Sequence, residues 1–185
     1  EHLALGLLRD EDGIAARLVL CPSDFDPAHL PAVIAEADID AIVTDSAALA
    51  EQARDAKPIV FVESAARYPL EATQDRAIAT EWALFTSGTS DRPKLVAHTL
   101  GSLTGPVGDF HGKAQGAVWS TFYDVRRYGG MQILLRALVV GASLVLSQAG
   151  EPVASFLDRA GACGVTHISG TPSHWRRALM SGAAN

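Results

Sequence analysis

The stretch that decides the fold is WALFTSGTSDRPKLVAHTLGSL, residues 82–103. An apolar run at 82–85 leads into a polar segment at 86–94, and a second apolar run follows at 95–97. Both apolar runs have the length of short buried strands, while the glycine and proline between them interrupt regular structure. The sequence therefore predicts a strand, a tight polar loop and a second strand.

The polar loop has the composition of an anion-binding site. Gly88 lets the backbone approach a ligand closely, so that successive N–H groups can face one concavity. Lys94 supplies a positive charge, Arg92 can add a second, and Pro93 stiffens the exit of the loop. Neutral hydrogen-bond donors come from the hydroxyl side chains of Thr86, Ser87, Thr89 and Ser90. These residues predict a polyphosphate site, and the alternative is an ordinary Ser/Thr-rich surface hairpin.

Two familiar nucleotide-binding loops do not fit this segment. A Walker A loop needs G-x-x-x-x-G-K-[ST] between a strand and a helix, but here no glycine precedes Lys94 and no hydroxyl side chain follows it. A dinucleotide-binding G-x-G-x-x-G pattern is also missing from the loop. An unrelated α/β phosphate-binding protein remains open as an interpretation of the residues alone.

The rest of the chain alternates short apolar runs with helix-forming segments. Strands are predicted at residues 18–21, 41–44, 58–62, 82–86, 118–122, 144–146 and 166–169. Helices are predicted at residues 27–37, 46–56, 128–140, 152–162 and 174–180, with Asp26 and Ser46 as N-caps and Gly141 as a C-terminal stop. Near-continuous apolar strands that alternate with helices predict a layered α/β fold with a largely parallel sheet.

Composition excludes several classes of partner. The chain has 185 residues and a formal net charge of -6, which argues against nucleic acid as a ligand. The most apolar stretch, residues 133–146, is interrupted by Arg136 and is too short to span a bilayer. Cys21 and Cys163 stand apart from each other and from any Cys/His cluster, so we expect no metal site, buried cysteines and a reducing, cytoplasmic setting.

The loop closely resembles the signature TSGTTGxPK of the adenylate-forming enzymes, the superfamily of acyl-CoA synthetases, luciferases and peptide-synthetase adenylation domains. The matching positions are Thr86, Ser87, Gly88, Thr89, Pro93 and Lys94, whereas Ser90 replaces a common Thr and Asp91 replaces a common Gly. The resemblance implies that Thr86–Ser90, Arg92 and Lys94 hold the phosphates of ATP, with Mg²⁺ and with Lys94 as the catalytic residue. It also implies the fold of the large N-terminal domain of these enzymes.

Two later segments extend the resemblance. The aromatic segment at residues 119–130 resembles the stretch that shapes the acyl pocket in relatives, which implies Tyr123 and Asp124 as substrate-pocket residues. The alternative is that Phe122 and Tyr123 belong to the core and that Asp124 caps the next helix. His167 and His174 lie in a later strand-and-turn segment, and we interpret them as hydrogen-bonded structural side chains rather than catalysts.

The resemblance implies a part of a ligase that activates a small carboxylic acid as an acyl-adenylate and transfers it to the thiol of coenzyme A or a carrier protein. We expect one partial adenylation domain over residues 1–185, with lobes at 1–100 and 101–185 joined in the Gly-rich stretch 101–116, or else a partly helical connection there. Adenine- and ribose-binding motifs are not recognisable, so we expect little activity from this chain alone. The alternative is a degenerate or truncated homologue that acts as a binding or assembly module, with a homodimer as one possibility.

Overall fold

Short β-branched runs alternate with helix-forming segments, and the chain folds them into two units, His2–Thr99 and Leu100–Asn185. The computed structural model describes residue 6 and residues 11–62, 78–86, 94–108, 116–148 and 150–182. Within these ranges every strand pair except one is parallel. The predicted α/β architecture with a largely parallel sheet is therefore confirmed.

The first unit contains a three-stranded sheet, which carries both ends of the segment predicted to bind phosphate, Thr86 and Lys94. Its elements are β1 (Arg17–Leu20), a 3-10 helix (Pro27–His29), α1 (Leu30–Ala37), β2 (Ile42–Thr44), α2 (Ala47–Ala53), β3 (Ile59–Phe61), β4 (Glu81–Thr86) and β5 (Lys94–His98). β4 lies at the centre of this sheet, parallel to β1 and antiparallel to β5. β2 and β3 form a separate parallel pair.

The central strand β4 is buried on both faces. Trp82, Ala83, Leu84 and Phe85 are each no more than 3% exposed. Because successive side chains of a strand point to opposite faces, a continuous apolar run of this kind requires cover on both sides of the sheet. The Trp82 indole N–H donates a hydrogen bond of 2.8 Å to the carboxylate of Asp12, which satisfies its one polar group.

The helix predicted at residues 27–37 is divided in two. Asp26 accepts a hydrogen bond from the Ala28 N–H and begins a 3-10 helix, as the cap predicted, but α1 starts only at Leu30. Pro31 lacks an N–H group, so it cannot donate to the carbonyl of Pro27 and the regular ladder is interrupted there. Ser46 caps α2 as predicted, accepting a hydrogen bond from the Leu49 N–H.

The second unit is built around a parallel sheet with strand order β7-β6-β8. Its elements are α3 (Leu100–Thr104), a 3-10 helix (Gly105–Val107), β6 (Val118–Thr121), α4 (Tyr128–Val140), β7 (Ser143–Val145), α5 (Val153–Ala162), β8 (His167–Ser169) and α6 (Pro172–Met180). The predicted helix 128–140 has the observed bounds, and Gly141 ends it with a positive φ of 67°. The chain leaves the central strand for one edge of the sheet and then crosses to the other edge.

The segment at 101–108 is more regular than its glycines suggest. It contains α3 and the 3-10 helix, and Leu103 and Val107 are almost fully buried. The amide of Gln132 on α4 donates a hydrogen bond of 2.8 Å to the Leu103 carbonyl. Tertiary packing thus overrides the low helix propensity of glycine, and the partly helical alternative holds for this part of the connection. Residues 109–115 lie outside the described ranges.

Neither cysteine is buried as predicted. Cys163 is exposed at the C-terminus of α5, and Cys21 is half-buried just after β1. Within the described residues neither forms a disulfide bond. Their positions at the ends of elements explain the error, since the prediction rested on residue type and not on place in the fold.

Candidate functional site

The segment predicted to bind phosphate joins β4 to β5. Thr86 ends β4 and is the register partner of Lys94, which begins β5. The Thr86 hydroxyl donates a hydrogen bond of 3.4 Å to the Lys94 carbonyl. The predicted strand, loop and strand are thus confirmed at both ends. The rest of the predicted cradle lies outside the described residues, namely Ser87, Gly88, Thr89, Ser90 and Arg92.

Lys94 lies at the mouth of this hairpin, as the first residue of β5. Directly opposed residues of an antiparallel pair carry their side chains on the same face of the sheet, so Thr86 and Lys94 share a face. Both side chains are exposed. Within the described ranges the Lys94 ammonium forms no ion pair with a carboxylate. The buried Leu84 and Phe85 just before Thr86 hold the strand end in place.

The second predicted group, Tyr123 and Asp124, follows the central strand β6 of the other unit. The hydroxyl of Thr121 accepts a hydrogen bond of 3.0 Å from the Tyr123 N–H. The Asp124 carboxylate accepts from the Arg126 backbone N–H at 2.9 Å and from the Arg126 guanidinium at 2.8 Å through each oxygen. Its negative charge is therefore balanced inside its own turn.

These contacts contradict the alternative prediction, in which Asp124 caps the next helix and Phe122 and Tyr123 belong to the core. Asp124 does not cap α4, because the N-cap is Arg127 and it forms no side-chain cap bond. The bidentate contact with Arg126, two residues further on, occupies the carboxylate instead. Phe122 and Tyr123 are half-buried rather than core residues. Their role in an acyl pocket remains a prediction.

Four aromatic side chains meet beyond the carboxyl ends of β6 and β8. We define the ring cluster as Phe122, Tyr123, His174 and Trp175. The His174 ring is stacked on Phe122 with centroids 5.4 Å apart and meets Tyr123 edge-on at 5.6 Å. Trp175 contacts Phe122 edge-on, with ring centroids 5.5 Å apart. Phe156 of α5 also contacts Phe122 edge-on, with ring centroids 5.1 Å apart. Aromatic pairs at these separations are attractive beyond the area that they bury.

His174 is fixed in the cluster by the start of α6. Its Nδ1 accepts a hydrogen bond from the Thr171 N–H, and its own N–H donates to the Thr171 hydroxyl, each at 3.2 Å. The two residues form a capping box. Burial lowers the pKa of His174, and the nearby positive charge of Arg177 lowers that pKa further. The structural role predicted for His174 is confirmed by these bonds.

Gly170 permits the close contact between His174 and Phe122. A Cβ atom at Gly170 would lie 2.7 Å from Cδ2 of Phe122 and 3.2 Å from Cβ of His174. Such distances require one of the rings to move, so only glycine fits here without displacing the cluster. Sequence reasoning did not select Gly170, and the only signal for it was a glycine directly between a strand and a helix.

The topology places the ring cluster where the strand order reverses. β6 is the central strand, and the chain passes first to β7 and then to β8 on its other side. α4 covers the face that carries Trp119, where the Arg136 guanidinium lies 5.6 Å from the Trp119 ring centroid. α5 and α6 contribute the rings that contact Phe122 on the opposite face. Open α/β sheets bind ligands outside the carboxyl ends of their strands where the strand order reverses, and the ring cluster lies at such a point.

Two classes of feature are missing from the part of the chain that the structure describes. No group of three or more His, Cys, Asp or Glu side chains could hold a metal ion there. No helix there is long and apolar enough to cross a membrane.

Comparison with known protein families and solved structures shows which proteins this chain is similar to. The family model described as AMP-binding enzyme matches residues 13–185. Among solved structures, the chain is similar to o-succinylbenzoate coenzyme A synthetase from Bacillus subtilis in complex with AMP, at 19% identity and a TM-score of 0.74 over 89% of this chain and 45% of that one. The same enzyme in complex with ATP and magnesium ion gives 16% identity and a TM-score of 0.69 over 86% and 35%.

A third similar structure is the luciferase-like enzyme from the nonluminescent mealworm Zophobas morio, at 16% identity and a TM-score of 0.63 over 90% of this chain and 44% of that one. No curated protein sequence matches this chain. The chain spans less than half the length of each of these structural relatives. At these identities the likeness shows a shared fold, and the match over residues 13–185 shows that the chain belongs to the AMP-binding enzyme family.

Proposed function

We propose that this chain is part of an AMP-forming ligase that activates a carboxylic acid with ATP, forming an acyl-adenylate and releasing pyrophosphate. The observation that carries the proposal is the β4–β5 hairpin. It frames the Ser/Thr/Gly-rich segment between Thr86 and Lys94 in a chain that belongs to the AMP-binding enzyme family. A hairpin anchored by a buried central strand is a rigid base for a loop whose backbone N–H groups converge on phosphate oxygens.

Lys94 is proposed as the residue whose positive charge balances the negative charge of the β- and γ-phosphates, which leave as pyrophosphate. Its exposed ammonium has no carboxylate partner within the described residues, so it is available to a polyphosphate. The exposed Thr86 hydroxyl lies on the same face of the hairpin, and its one proton can turn from the Lys94 carbonyl, 3.4 Å away, to the same anion. Ser87, Gly88, Thr89, Ser90 and Arg92 are proposed to complete the cradle.

Magnesium suits this donor set as a companion of the nucleotide rather than as a resident ion. Mg²⁺ commonly binds through substrate phosphates, water and one or two carboxylates, so it does not need a cluster of side chains. Bound to the triphosphate, it would supply charge neutralisation. Among the relatives, the Bacillus subtilis synthetase has been solved with ATP and magnesium ion.

The acid and its acceptor belong to the same proposal. The Bacillus subtilis enzyme has been solved with an acyl-adenylate intermediate and, as a double mutant, with a product analogue named OSB-NCoA. We propose a small carboxylic acid as substrate, with Tyr123 and Asp124 near its acyl group, and a coenzyme A or carrier-protein thiol as acceptor. Because this chain spans less than half of those relatives, we propose that it does not complete the reaction alone.

Titration of this chain with magnesium pyrophosphate tests the phosphate site directly. Lys94→Ala should weaken binding about 10- to 100-fold, because a charge-assisted hydrogen bond contributes about 1.5–3 kcal/mol. The matched control is Lys57→Ala, which removes a half-buried lysine of the same unit outside the hairpin and should leave the affinity unchanged. Equal affinity of the parent chain and Lys94→Ala, measured by calorimetry, would overturn the assignment of Lys94.

A second candidate function is a non-catalytic binding or assembly module. Large apolar side chains are exposed on two helices of the second unit, with Leu138 of α4 at 66%, Leu179 of α6 at 70% and Met180 at 82%. Exposed apolar groups of this size favour association with another surface. Light scattering after size-exclusion chromatography tests this: a dimer that Leu179→Gln with Met180→Gln converts to a monomer supports it, and a monomeric parent chain rejects it.

The proposal extends to a reducing, cytoplasmic setting. Cys163 is exposed, and within the described residues it forms no disulfide bond. An exposed free thiol is more readily kept in a reducing compartment than in an oxidising one. Fractionation of source cells, with detection of the chain by antibody, tests the compartment.

A further inference from the structure

The histidine of the ring cluster has a defined proton. Because Nδ1 of His174 accepts a hydrogen bond from the Thr171 N–H, that nitrogen carries no proton. The neutral imidazole must therefore carry its single proton on Nε2. The capping box and the contacts with Phe122 and Tyr123 hold the ring in one orientation. His174 is thus a positioned hydrogen-bond donor of known tautomer.

The Nε2–H group of His174 is the donor that a ligand could use. Within the described residues, the hydrogen bonds of the His174 side chain are confined to Nδ1, and Nε2–H has no protein acceptor. His174 is half-buried, so part of its side chain remains accessible to solvent. A buried donor without an acceptor would be costly, but an accessible one can pass from water to a ligand at little cost.

The surroundings of the donor select the kind of ligand. Phe122, Tyr123 and Trp175 make the wall around His174 aromatic and apolar, and Asp124 beside them is already neutralised by Arg126. Such a wall favours a planar apolar body over a charged one. The cluster also lies at the reversal of strand order, where an α/β sheet places its ligand.

We infer that His174 is a specificity-determining residue, whose Nε2–H donates a hydrogen bond to an acceptor atom on the acyl part of an aromatic carboxylic acid. The inference rests on the proposed function, because it takes the carboxylic acid as the substrate of this chain. Burial and Arg177 both lower the pKa of His174, so the imidazole remains the neutral single donor at neutral pH. Gly170 is the positioning residue, since any larger side chain would move the ring.

The experiment is a set of binding titrations of this chain by NMR, with isotope-labelled histidine as the probe. The ligands are the three acetylbenzoate isomers and the three isopropenylbenzoates, in which a methylene group replaces the carbonyl oxygen at nearly the same shape. At least one acetyl isomer should bind about tenfold more tightly than its isostere, as expected for one neutral hydrogen bond, and should shift the His174 Nε2 resonance.

Two variants separate the hydrogen-bond donor of His174 from its roles in the capping box and in the ring stack. His174→Gln can keep the capping box, because an N3 glutamine accepts the Thr171 N–H, but it removes the ring and Nε2. His174→Phe keeps the ring stack and removes both nitrogens. Both should abolish the preference for the acetyl compound. The control His167→Gln changes a histidine of the same unit that is stacked on Trp119 and should keep the preference.

The outcomes distinguish this inference from the proposed function. If the acids do not bind, if no acetyl isomer is preferred, or if the preference survives in His174→Phe, the assignment of His174 is overturned. Binding of magnesium pyrophosphate that depends on Lys94 would leave the ligase proposal standing in each of these cases. Conversely, a His174-dependent preference together with equal pyrophosphate affinity of the parent chain and Lys94→Ala supports the inference and contradicts the phosphate site.

Discussion

The two candidate sites of this chain differ in how they are encoded. The phosphate-loop segment is contiguous, running from Thr86 to Lys94 between two paired strands. The ring cluster is assembled from residues that are distant in sequence, with Phe122 and Tyr123 after β6 and His174 and Trp175 on α6. The first site is therefore visible as a motif, whereas the second exists only when two parallel strands lie side by side.

This difference predicts different sensitivity to mutation. A local loop on a hairpin depends on its own residues and on the short strands that frame it. An assembled cluster depends on every contact that fixes the strand ends and the helix starts, including glycines far from the rings. Substitutions at Gly130, in the Asp124–Arg126 pair and at His174 test whether the ring cluster depends on tertiary packing in this way.

The largest expected effect is that of Gly130→Ala, at the start of α4. A Cβ atom there would lie 2.2 Å from the Asp124 carbonyl oxygen and 2.8 Å from the Val125 Cα, both of which are backbone atoms. Backbone cannot move as a flexible side chain can, so we expect a loss of about 3 kcal/mol in the free energy of unfolding. Urea denaturation followed by circular dichroism measures it.

The matched control for Gly130 is Gly161→Ala in α5. A Cβ atom at Gly161 meets nothing within 4 Å, and the residue is helical. Replacing a helical glycine by alanine should stabilise the chain by about 0.5–1 kcal/mol. Equal effects of the two substitutions would contradict the tight backbone approach at Gly130 and, with it, the packing that carries Tyr123 to the cluster.

A smaller effect is expected from the Asp124–Arg126 pair. The side chains are only 12% and 21% exposed, respectively, and they are joined at 2.8 Å. Arg126→Met leaves a largely covered carboxylate without its partner and should lower the free energy of unfolding by about 1–3 kcal/mol. Asp124→Asn should cost less, because one oxygen still accepts from the Arg126 N–H.

A double-mutant cycle of these two substitutions isolates the pair. Together they should destabilise the chain by less than the sum of the single effects, because the second change removes a group that the first has already left unpaired. Strict additivity would show that the two side chains do not interact in solution. The charge of the Asp124 carboxylate would then not be balanced by Arg126, and the apolar character inferred for the wall around His174 would be wrong.

The smallest effect concerns pH. Burial and then the charge of Arg177 on the same helix lower the pKa of His174 below the 6.5 of an ordinary histidine, and the Tyr123 ring packs against it from the other side. The unfolded chain therefore binds this proton more readily than the folded chain. The contribution to stability is complete above about pH 6.5 and is lost as the pH falls through the folded-state pKa.

Urea titrations from pH 7.5 to pH 5 on the parent chain and on His174→Gln measure this contribution. The difference between the two stabilities should change with pH in the direction stated and should be level above the histidine range. If the difference in the free energy of unfolding does not change with pH, the imidazole has the same pKa in the folded and unfolded chains. The lowered pKa of His174 would then be wrong.

Much of the fold could be predicted because its signals are local. The helix Tyr128–Val140 has the predicted bounds, since Gly141 adopts the left-handed conformation that ends it. The buried run of β4 predicted a central strand, and the caps at Asp26 and Ser46 are formed. The failures came from tertiary effects. The burial of Leu103 and Val107 holds residues 101–107 of the Gly-rich connection in helical turns, and Asp124 contacts Arg126 instead of capping α4.

The sequence by itself determined the alternation of strands and helices, and it predicted an anion-binding segment that ends at Lys94. Dihedral preferences, apolar periodicity and side-chain chemistry act over a few residues, so they can be recognised in the sequence alone. Only the tertiary structure decided that Gly170, Phe122, Tyr123 and His174 meet, and which nitrogen of His174 holds the proton. Those facts depend on the order of strands in the sheet and on one hydrogen bond at the start of α6, and neither is a property of any single segment.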